Sequence, residues 1–251
     1  MVFKITLSDV GLLTNTIPII AEIIDEGVFK VNKDGISLVS PDRTMVSVTD
    51  LKIFSSAFDE FKVDAEESLG LNLANLAAVL KRVKANDKLT LESTGKSNRL
   101  KISISGEGTR TFEVPLIDVS VEKPPLDQLN FGGKVEINSA TMEDGVADAE
   151  IIGDSIVFEA SPESFKMYAK GDVSSAQLEV DKGNKALLKL EAQGNIKAQY
   201  PLEYLKKMIK AAKFSPQLSL EFGTDYPMRL SFKVLDKMSL QFILAPRVSE
   251  E

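Results

Sequence analysis

The sequence predicts an α+β fold built from two similar domains, each with two amphipathic helices packed on an antiparallel sheet. Two observations lead to this prediction. Short segments of the first half recur in the second half, and each half combines helical apolar stripes with alternating segments joined by turn residues. The chain has 251 residues, of which 43% are hydrophobic, so two domain cores can be filled.

An internal repeat is the main sign of two domains. Leu76 corresponds to Leu205, an offset of 129 residues, and two further matches share that offset while a fourth lies at 130. The matched pairs are Asn75–Lys81 with Tyr204–Lys210, Leu89–Glu92 with Leu218–Glu221, Gly35–Leu38 with Ser164–Met167, and Arg99–Ile102 with Arg229–Phe232. Each match alone is weak, but their common order favours a duplicated domain over two unrelated halves.

A connector between the halves sets the predicted domain boundaries. Residues 118–133 contain Pro124 and Pro125 in succession and end in Gly132-Gly133, which suits neither a helix nor a central strand. We therefore predict an N-terminal domain over residues 1–117, an extended connector over 118–133 and a C-terminal domain over 134–251.

Each half is predicted to begin with one amphipathic helix and to carry a second one further on. The apolar face of the first helix consists of Val10, Leu13, Ile17, Ile20 and Ile24. Ser8 is the predicted N-cap, and Pro18 should kink this helix or move its start. The second helix should bury Leu73, Leu76, Leu80 and Val83, and its repeat should bury Leu202, Leu205, Ile209 and Ala212.

Strands are predicted where apolar residues alternate or run together between Gly, Asn and Asp turns. The clearest candidates are Val28–Val31, Ile36–Leu38, Met45–Thr49 and Leu100–Ile104. Each half is thus rich in strands, with its helices covering one face of the sheet.

The composition limits the chemistry that the chain can perform. It contains no cysteine and no histidine, which removes the usual thiol nucleophile, the usual neutral-pH base and the commonest metal ligands. We expect no enzyme, no cofactor and no metal. The N-terminal segment has no signal-like apolar run, so we expect a soluble protein that is neither exported nor membrane-bound.

The charge is unevenly distributed along the chain. The formal net charge is −7, yet basic residues follow the apolar stripe of both second helices. They are Lys81, Arg82 and Lys84 in the first half and Lys206, Lys207, Lys210 and Lys213 in the second half. Exposed lysines on a helix are usually only solvated, but the same charge on both copies of the repeat favours a surface that faces nucleic-acid phosphates without reading bases.

The first helices are acidic instead, which leaves a second interpretation open. No Lys or Arg occurs from Ile5 to Phe29 or from Val135 to Phe165. Asp144 and Asp148 lie one helical turn apart and could hold a hard cation in a carboxylate hydrolase, although the sequence lacks calcium-loop spacing. Such a pair is far more often solvated.

Several segments, in order along the whole chain, resemble the proliferating cell nuclear antigen family of archaeal and eukaryotic DNA sliding clamps. They are Ile24-Asp-Glu, Asp34-Gly-Ile-Ser-Leu, Leu69-Gly-Leu-Asn-Leu, Val114-Pro-Leu-Ile-Asp, Tyr226-Pro-Met and the C-terminal Leu244-Ala-Pro-Arg-Val. The resemblance implies the DNA-clamp fold and a trimeric ring of pseudo-six-fold symmetry, lined by helices and threaded by duplex DNA.

The resemblance also implies how copies join. Edge strands would pair between subunits, which uses up edges that otherwise invite aggregation. The joining residues would be Thr109, Arg110, Thr111, Phe112 and Val114 on one edge and Ser175, Gln177, Leu178 and Val180 on the other. A homotrimer is favoured, but the acidic first helices would suit a heterotrimer with sister clamp subunits.

In the same family, partner enzymes dock short motifs with aromatic and aliphatic anchors into an apolar pocket at the connector. The matching positions here are Met45, Val46, Val48, Val121, Pro124, Leu126, Leu129, Pro227, Ile243, Leu244, Ala245, Pro246, Arg247 and Val248. The implied partners are a clamp loader, DNA polymerase, flap endonuclease and DNA ligase. The chain would act in the cytoplasm with the nucleoid if archaeal and in the nucleus if eukaryotic. A peptide-docking scaffold that does not bind DNA is the alternative.

Overall fold

A computed structural model describes residues 2–120 and 124–247. The chain divides into two compact units. Unit 1 comprises Met1–Pro124 and Val234–Leu240, and unit 2 comprises Pro125–Lys233 and Gln241–Glu251.

Unit 1 contains nine strands and three short α-helices in its described N-terminal part. In chain order these are β1 (Phe3–Leu7), α1 (Gly11–Thr14), α2 (Thr16–Ile20), β2 (Glu26–Asn32), β3 (Gly35–Pro41), β4 (Ser47–Phe54), β5 (Glu60–Val63), β6 (Glu67–Asn72), α3 (Leu73–Leu80), β7 (Lys88–Ser93), β8 (Arg99–Ser105) and β9 (Thr109–Pro115). A 3-10 helix, Ser55–Ala57, links β4 to β5.

The strands of unit 1 form antiparallel ladders in the orders β5-β1-β7-β8-β9 and β4-β3-β2-β6. Alternate residues enter the core in most of these strands, as in β8, where Leu100, Ile102 and Ile104 are buried and their neighbours are not. This period of two places one apolar face of each sheet against the helices.

The first helix region of unit 1 differs in part from its prediction. Its apolar face from Val10 to Ile24 is buried as expected. Pro18 does not kink one long helix, since the region consists of two short helices and Pro18 lies in the first turn of α2, where its missing N–H has no helical partner to lose. Ser8 is not the N-cap: Val10 occupies that position, and the Ser8 hydroxyl donates to Asp59 Oδ2 at 2.6 Å.

Unit 2 repeats this order of elements. They are β10 (Gly133–Asn138), α4 (Ser139–Ile152), β11 (Ser155–Ala160), β12 (Ser164–Lys170), β13 (Ser175–Asp181), β14 (Leu187–Ala192), β15 (Ile196–Pro201), α5 (Leu202–Met208), β16 (Gln217–Phe222), β17 (Met228–Val234) and β18 (Met238–Leu244). Two 3-10 helices, Leu126–Gln128 and Ile209–Phe214, precede β10 and follow α5.

The strands of unit 2 lie in the orders β13-β12-β11-β15 and β14-β10-β16-β17, with β18 next to β17. An aromatic cluster fills the core around Phe158, whose ring centroid lies 5.8 Å from Phe165, 5.6 Å from Tyr200 and 6.3 Å from Phe222. Burying this much aromatic surface is a major source of stability for the unit.

The structure confirms the α+β class and the repeat. α3 begins at Leu73 and α5 at Leu202, β7 begins at Lys88 and β16 at Gln217, and β3 begins at Gly35 and β12 at Ser164, so each pair is displaced by 129 residues. Two details of the prediction are wrong. Val83 lies beyond the end of α3 and is only half-buried, and Met45 belongs to a turn before β4 rather than to the strand.

Candidate functional site

The basic residues of unit 1 lie after α3 rather than on it. Lys81 is the C-cap, its N–H donating to Ala77 O and Val79 O, and Arg82 and Lys84 follow in an exposed turn. The predicted basic helical face is therefore a basic turn, which we define as residues 81–84.

A buried carboxylate, Asp87, holds this turn against β9. Its Oδ2 accepts from the backbone N–H of Lys84 at 2.9 Å and from Arg110 Nη2 at 2.7 Å. Arg110 Nη1 also donates to Arg82 O at 3.0 Å, so the guanidinium bridges the turn and the strand. Three predicted site residues, Arg82, Lys84 and Arg110, thus line one surface hollow of about 710 Å³. Sequence reasoning missed Asp87, because nothing local marks an aspartate that pairs with an arginine 23 residues away.

Two of the predicted lysines of unit 2, Lys206 and Lys207, lie on α5, and the other two, Lys210 and Lys213, lie on the 3-10 helix after it. Leu202, Leu205 and Met208 are buried beneath them, and Ile209 and Ala212 continue the stripe as predicted. The lysines differ in their neighbours: Lys206 forms an ion pair with Glu150 of α4 at 2.9 Å, whereas the Nζ of Lys207 and that of Lys213 each lie 5.6 Å from an aromatic ring centroid. We call Lys206, Lys207, Lys210 and Lys213 the α5 basic surface.

The acidic side chains of α4 lie on its solvent face. Met142, Val146 and Ala149 are buried against the sheet, while Glu143, Asp144, Asp148 and Glu150 are exposed. Within residues 2–120 and 124–247, no group of three or more Asp or Glu side chains is arranged to hold a metal ion. The pair Asp144 and Asp148 is therefore a solvated acidic face, without the burial that tunes catalytic carboxylates.

The predicted joining segments occupy equivalent edges. β9 is the last strand of the order β5-β1-β7-β8-β9, and β13 is the last of β13-β12-β11-β15. Their side chains alternate in the same way, with four exposed residues, two half-buried ones and one buried valine, Val114 or Val180. Phe112 and Leu178 are the half-buried apolar residues two positions before that valine. Unpaired edges of this length are competent to pair with another strand.

In unit 1, a tight turn presents the predicted docking residues Met45, Val46 and Val48. Buried Asp42 organises it, with Oδ1 accepting from Ser47 N at 2.7 Å and Oδ2 from Thr44 N at 3.1 Å. Met45 has a positive φ of 58° and a side chain that is 64% exposed, while Val46 and Val48 are half-buried. A methionine held in solvent by a fixed turn is an accessible apolar contact.

The connector is described in part. Val121 lies outside the described residues, and Pro124 is half-buried in unit 1. In unit 2, Leu126 begins a 3-10 helix and Leu129 follows it, both half-buried. Their side chains thus keep apolar surface accessible to solvent.

The C-terminal docking residues divide into two groups. Ile243 and Leu244 are buried, so neither offers exposed apolar surface to a partner. Leu244 continues the inward alternation of Leu240 and Phe242, whereas Ile243 lies on the opposite face of β18. Ala245 and Pro246 are half-buried, as is Pro227, and Val248 lies outside the described residues.

Arg247 fixes the end of the described chain. Its N–H donates to Gln199 O at 2.7 Å, and its Nη1 lies 2.6 Å from Asp154 Oδ1. This hydrogen-bonded guanidinium holds the pKa of the Asp154 carboxyl below its ordinary value. The segment is thereby fastened to β15 and to the start of β11.

No helix in the described part of the chain is long and apolar enough to span a membrane.

Comparison with known proteins identifies the family. Residues 2–123 match the family model for the N-terminal domain of proliferating cell nuclear antigen, and residues 126–247 match that for its C-terminal domain. A Pyrococcus furiosus protein named DNA polymerase sliding clamp is 36% identical over 250 residues, covering all of both chains. Thermococcus kodakarensis has a relative named DNA polymerase sliding clamp 1, which is 32% identical over 250 residues and is also covered in full.

Solved structures agree with this assignment. The crystal structure of PCNA from Thermococcus kodakaraensis superimposes with a TM-score of 0.91 at 27% identity, covering 98% of this chain and all of that one. A PCNA2–PCNA3 complex from Sulfolobus tokodaii gives a TM-score of 0.89 at 30% identity, covering 97% of this chain and 99% of that one. The chain belongs to the proliferating cell nuclear antigen family and carries both of its domains.

Proposed function

We propose that this chain is a subunit of a DNA polymerase sliding clamp, a ring that encircles duplex DNA and tethers replication and repair enzymes to it. The observation that carries the proposal is similarity to sliding clamps along the full length of both chains. The clamp needs no catalytic residue, because a closed ring retains DNA by topology and each contact with it can stay weak.

Head-to-tail pairing of β9 with β13 of the next copy would close the ring. Both strands lie at sheet edges and share one pattern of side-chain exposure. A contact between two different edges leaves one of each edge free on every dimer, so copies continue to add until the ring closes. Phe112 and Leu178 supply apolar contacts at the joint.

Complementary charge supports the same joint. The edge at β9 is flanked by Arg82, Lys84 and Arg110. α4, which packs against β13, presents Asp144 and Asp148 on its exposed face. We therefore assign Arg82 and Lys84 chiefly to the subunit joint, and the acidic face of α4 to the opposite side of it. Opposite charges at the rim speed association and suppress wrong pairings.

We propose a homotrimer, because a single chain carries both the basic and the acidic edge. The PCNA2–PCNA3 complex is formed by unlike chains, so a ring completed by sister subunits is the alternative. The two differ in whether the purified chain reaches three times its 27.4 kDa mass by itself.

The α5 basic surface and Lys81 are the proposed contacts with DNA. Lysines that meet only phosphates give binding without sequence preference and with strong salt dependence. Lys206 should contribute less than Lys207 or Lys213, because it already pairs with Glu150.

Partner enzymes are proposed to dock on the accessible apolar residues: Met45, Val46, Val48, Pro124, Leu126, Leu129, Pro227, Ala245 and Pro246, with Arg247 beside the last two. Apolar anchors with polar surroundings are the usual hot spots for short peptides. A clamp loader, DNA polymerase, flap endonuclease and DNA ligase are the proposed partners. The protein would then work wherever the chromosome is replicated.

Retention on circular DNA tests the proposal. The chain is loaded onto nicked circular DNA by a clamp loader, isolated by gel filtration in about 0.3 M salt to suppress ordinary phosphate contacts, and the DNA is then cut once. A clamp remains on the circle and leaves after linearisation, because it slides off the ends. Loss from the circle before cutting, with peptide binding intact, would instead identify a scaffold that does not encircle DNA.

A further inference from the structure

One arginine contacts both ends of the connector segment that follows Pro125. Arg229, on β17, donates from Nη2 to the backbone oxygen of Leu126 at 3.3 Å. Its guanidinium carbon lies 4.8 Å from the ring centroid of Phe131, and Nη1 lies 3.5 Å from Glu221 Oε2 on the neighbouring strand. Residues 126–131 are thus fastened to the sheet at their first and last positions.

Aromatic contacts hold the same segment. The ring of Phe131 meets Tyr226 edge-on at 6.1 Å, and the N–H of Asn130 donates to the Tyr226 hydroxyl at 3.4 Å. The carbonyl of Tyr226 in turn accepts from the hydroxyl of buried Tyr200 at 2.7 Å. The end of the segment is therefore linked to the core of unit 2.

The two glycines after Phe131 allow this close approach. A Cβ on Gly132 would lie 3.3 Å from Ile196 Cγ2, and one on Gly133 would lie 2.8 Å from Glu191 O. The last residues of the connector are therefore packed closely against unit 2.

We propose that Arg229 is a positioning residue for partner docking: it holds residues 126–131 so that Leu126 and Leu129 are presented to a short peptide with aromatic and aliphatic anchors. This inference rests on the proposed docking function. A guanidinium can donate to a carbonyl and stack on a ring at the same time, whereas an ammonium acts as a point charge. A segment held in its binding conformation loses less entropy when the peptide arrives.

The equivalent strand of unit 1 provides a control arginine. The strand registers place Lys101 opposite Glu92 as Arg229 lies opposite Glu221, so Arg99 is two residues before the position equivalent to Arg229. The ion-pair contact of Arg99 with Glu113 is long, at 4.0 Å. The side chain of Arg99 is 56% exposed, against 22% for Arg229. Arg99→Met therefore controls for the removal of an exposed arginine from β8, the strand of unit 1 that is equivalent to β17.

Hydrogen exchange and peptide binding are compared for the wild type, Arg229→Met, Arg229→Lys and Arg99→Met. The probe is a synthetic peptide of about 12 residues with one aliphatic and two aromatic anchors. Both Arg229 variants should lower the protection of the amides in 126–131 about tenfold and lower the affinity for the peptide about fivefold. Neither side chain can donate a hydrogen bond to Leu126 O and stack on Phe131 at the same time. Arg99→Met should change neither quantity, and amides of β16 should keep their protection in every variant.

Equal protection of residues 126–131 in the wild type and Arg229→Met would overturn the proposal. So would a loosened segment that binds the peptide with unchanged affinity, or an equal loss of protection in β16, which would mean a general loosening of unit 2. Failure of the wild type to bind the peptide would count against the docking function itself, and the exchange result would still report whether Arg229 holds the segment.

Discussion

Reversing the charge of the acidic face of α4 should dissociate the proposed ring into single subunits. In the variant Asp144→Lys with Asp148→Lys, two exposed carboxylates of α4, which packs against β13, become cations. In the proposed joint these cations would face Arg82 and Lys84 of the next copy, so attraction would be replaced by repulsion.

The expected loss of free energy of association follows from the exposure of the charged side chains. Exposed ion pairs contribute roughly 0.2–1 kcal/mol each, and reversal turns that attraction into a similar repulsion, so two reversals cost each joint about 2 kcal/mol. A trimer has three joints and is destabilised by about 6 kcal/mol in total, which corresponds to a trimer dissociation constant raised about ten-thousand-fold.

Light scattering over a dilution series measures this directly. At about 0.1 M salt the wild type should give three times 27.4 kDa, and the variant should give a single-subunit mass at micromolar concentration. In about 1 M salt the difference between them should shrink, because screening acts within about 3 Å.

Two further variants test whether the effect comes from the charges at the joint. The variant Glu191→Lys with Glu203→Lys changes the net charge equally on exposed residues elsewhere in unit 2 and should stay trimeric. Adding Arg82→Glu and Lys84→Glu to the first variant exchanges the charges across the joint and should restore the trimer. A persistent trimer in the first variant, or no restoration by the exchange, would refute the charge assignment.

Three other outcomes are expected. Replacing Lys207, Lys210 and Lys213 by Ala should weaken equilibrium binding to short linear duplex DNA and lower the slope of log affinity against log salt by about 0.9 for each phosphate that is no longer neutralised; an unchanged slope would exclude these lysines as DNA contacts. Tyr200→Phe removes the hydrogen bond to Tyr226 O and should lower the free energy of unfolding by about 1–2 kcal/mol, measured by urea denaturation; no change would mean that water replaces the hydroxyl. Because Arg247 lowers the pKa of Asp154 in the folded state, their ion pair should persist above the unfolded pKa and break as pH falls through the lowered value, so the protection factor of the Arg247 amide, which corrects for the intrinsic pH dependence of exchange, should fall in acid; Asp154→Asn should remove this fall.

Local sequence patterns predicted several helices and strands of this protein and its internal duplication. The apolar stripes of α3 and α5 and the alternation in β8 were visible in the sequence because side-chain direction repeats every 3.6 residues in a helix and every two in a strand. The offset of 129 residues was visible because both copies keep the same core positions.

Predictions about surface residues were less complete. Arg82 and Lys84 were predicted on a helical face, yet α3 ends at Leu80 and Asp87 draws the turn toward β9. Ile243 and Leu244 were grouped with the docking residues, yet both side chains are buried. The contact that fixes residues 81–84 comes from Arg110 on β9, which the local sequence does not show.

The sequence by itself thus determined the fold class, the duplication and the family, since these depend on patterns that are written locally and repeated. The tertiary structure alone decided which strands are edges and which arginine holds the connector. The sequence pattern aligned Arg229 with Arg99, yet the strand registers make Lys101 its counterpart. Arg229 has Phe131 and Leu126 within reach. A side chain's role depends on what other segments bring to it, and that information is absent from the residue's own neighbourhood in the chain.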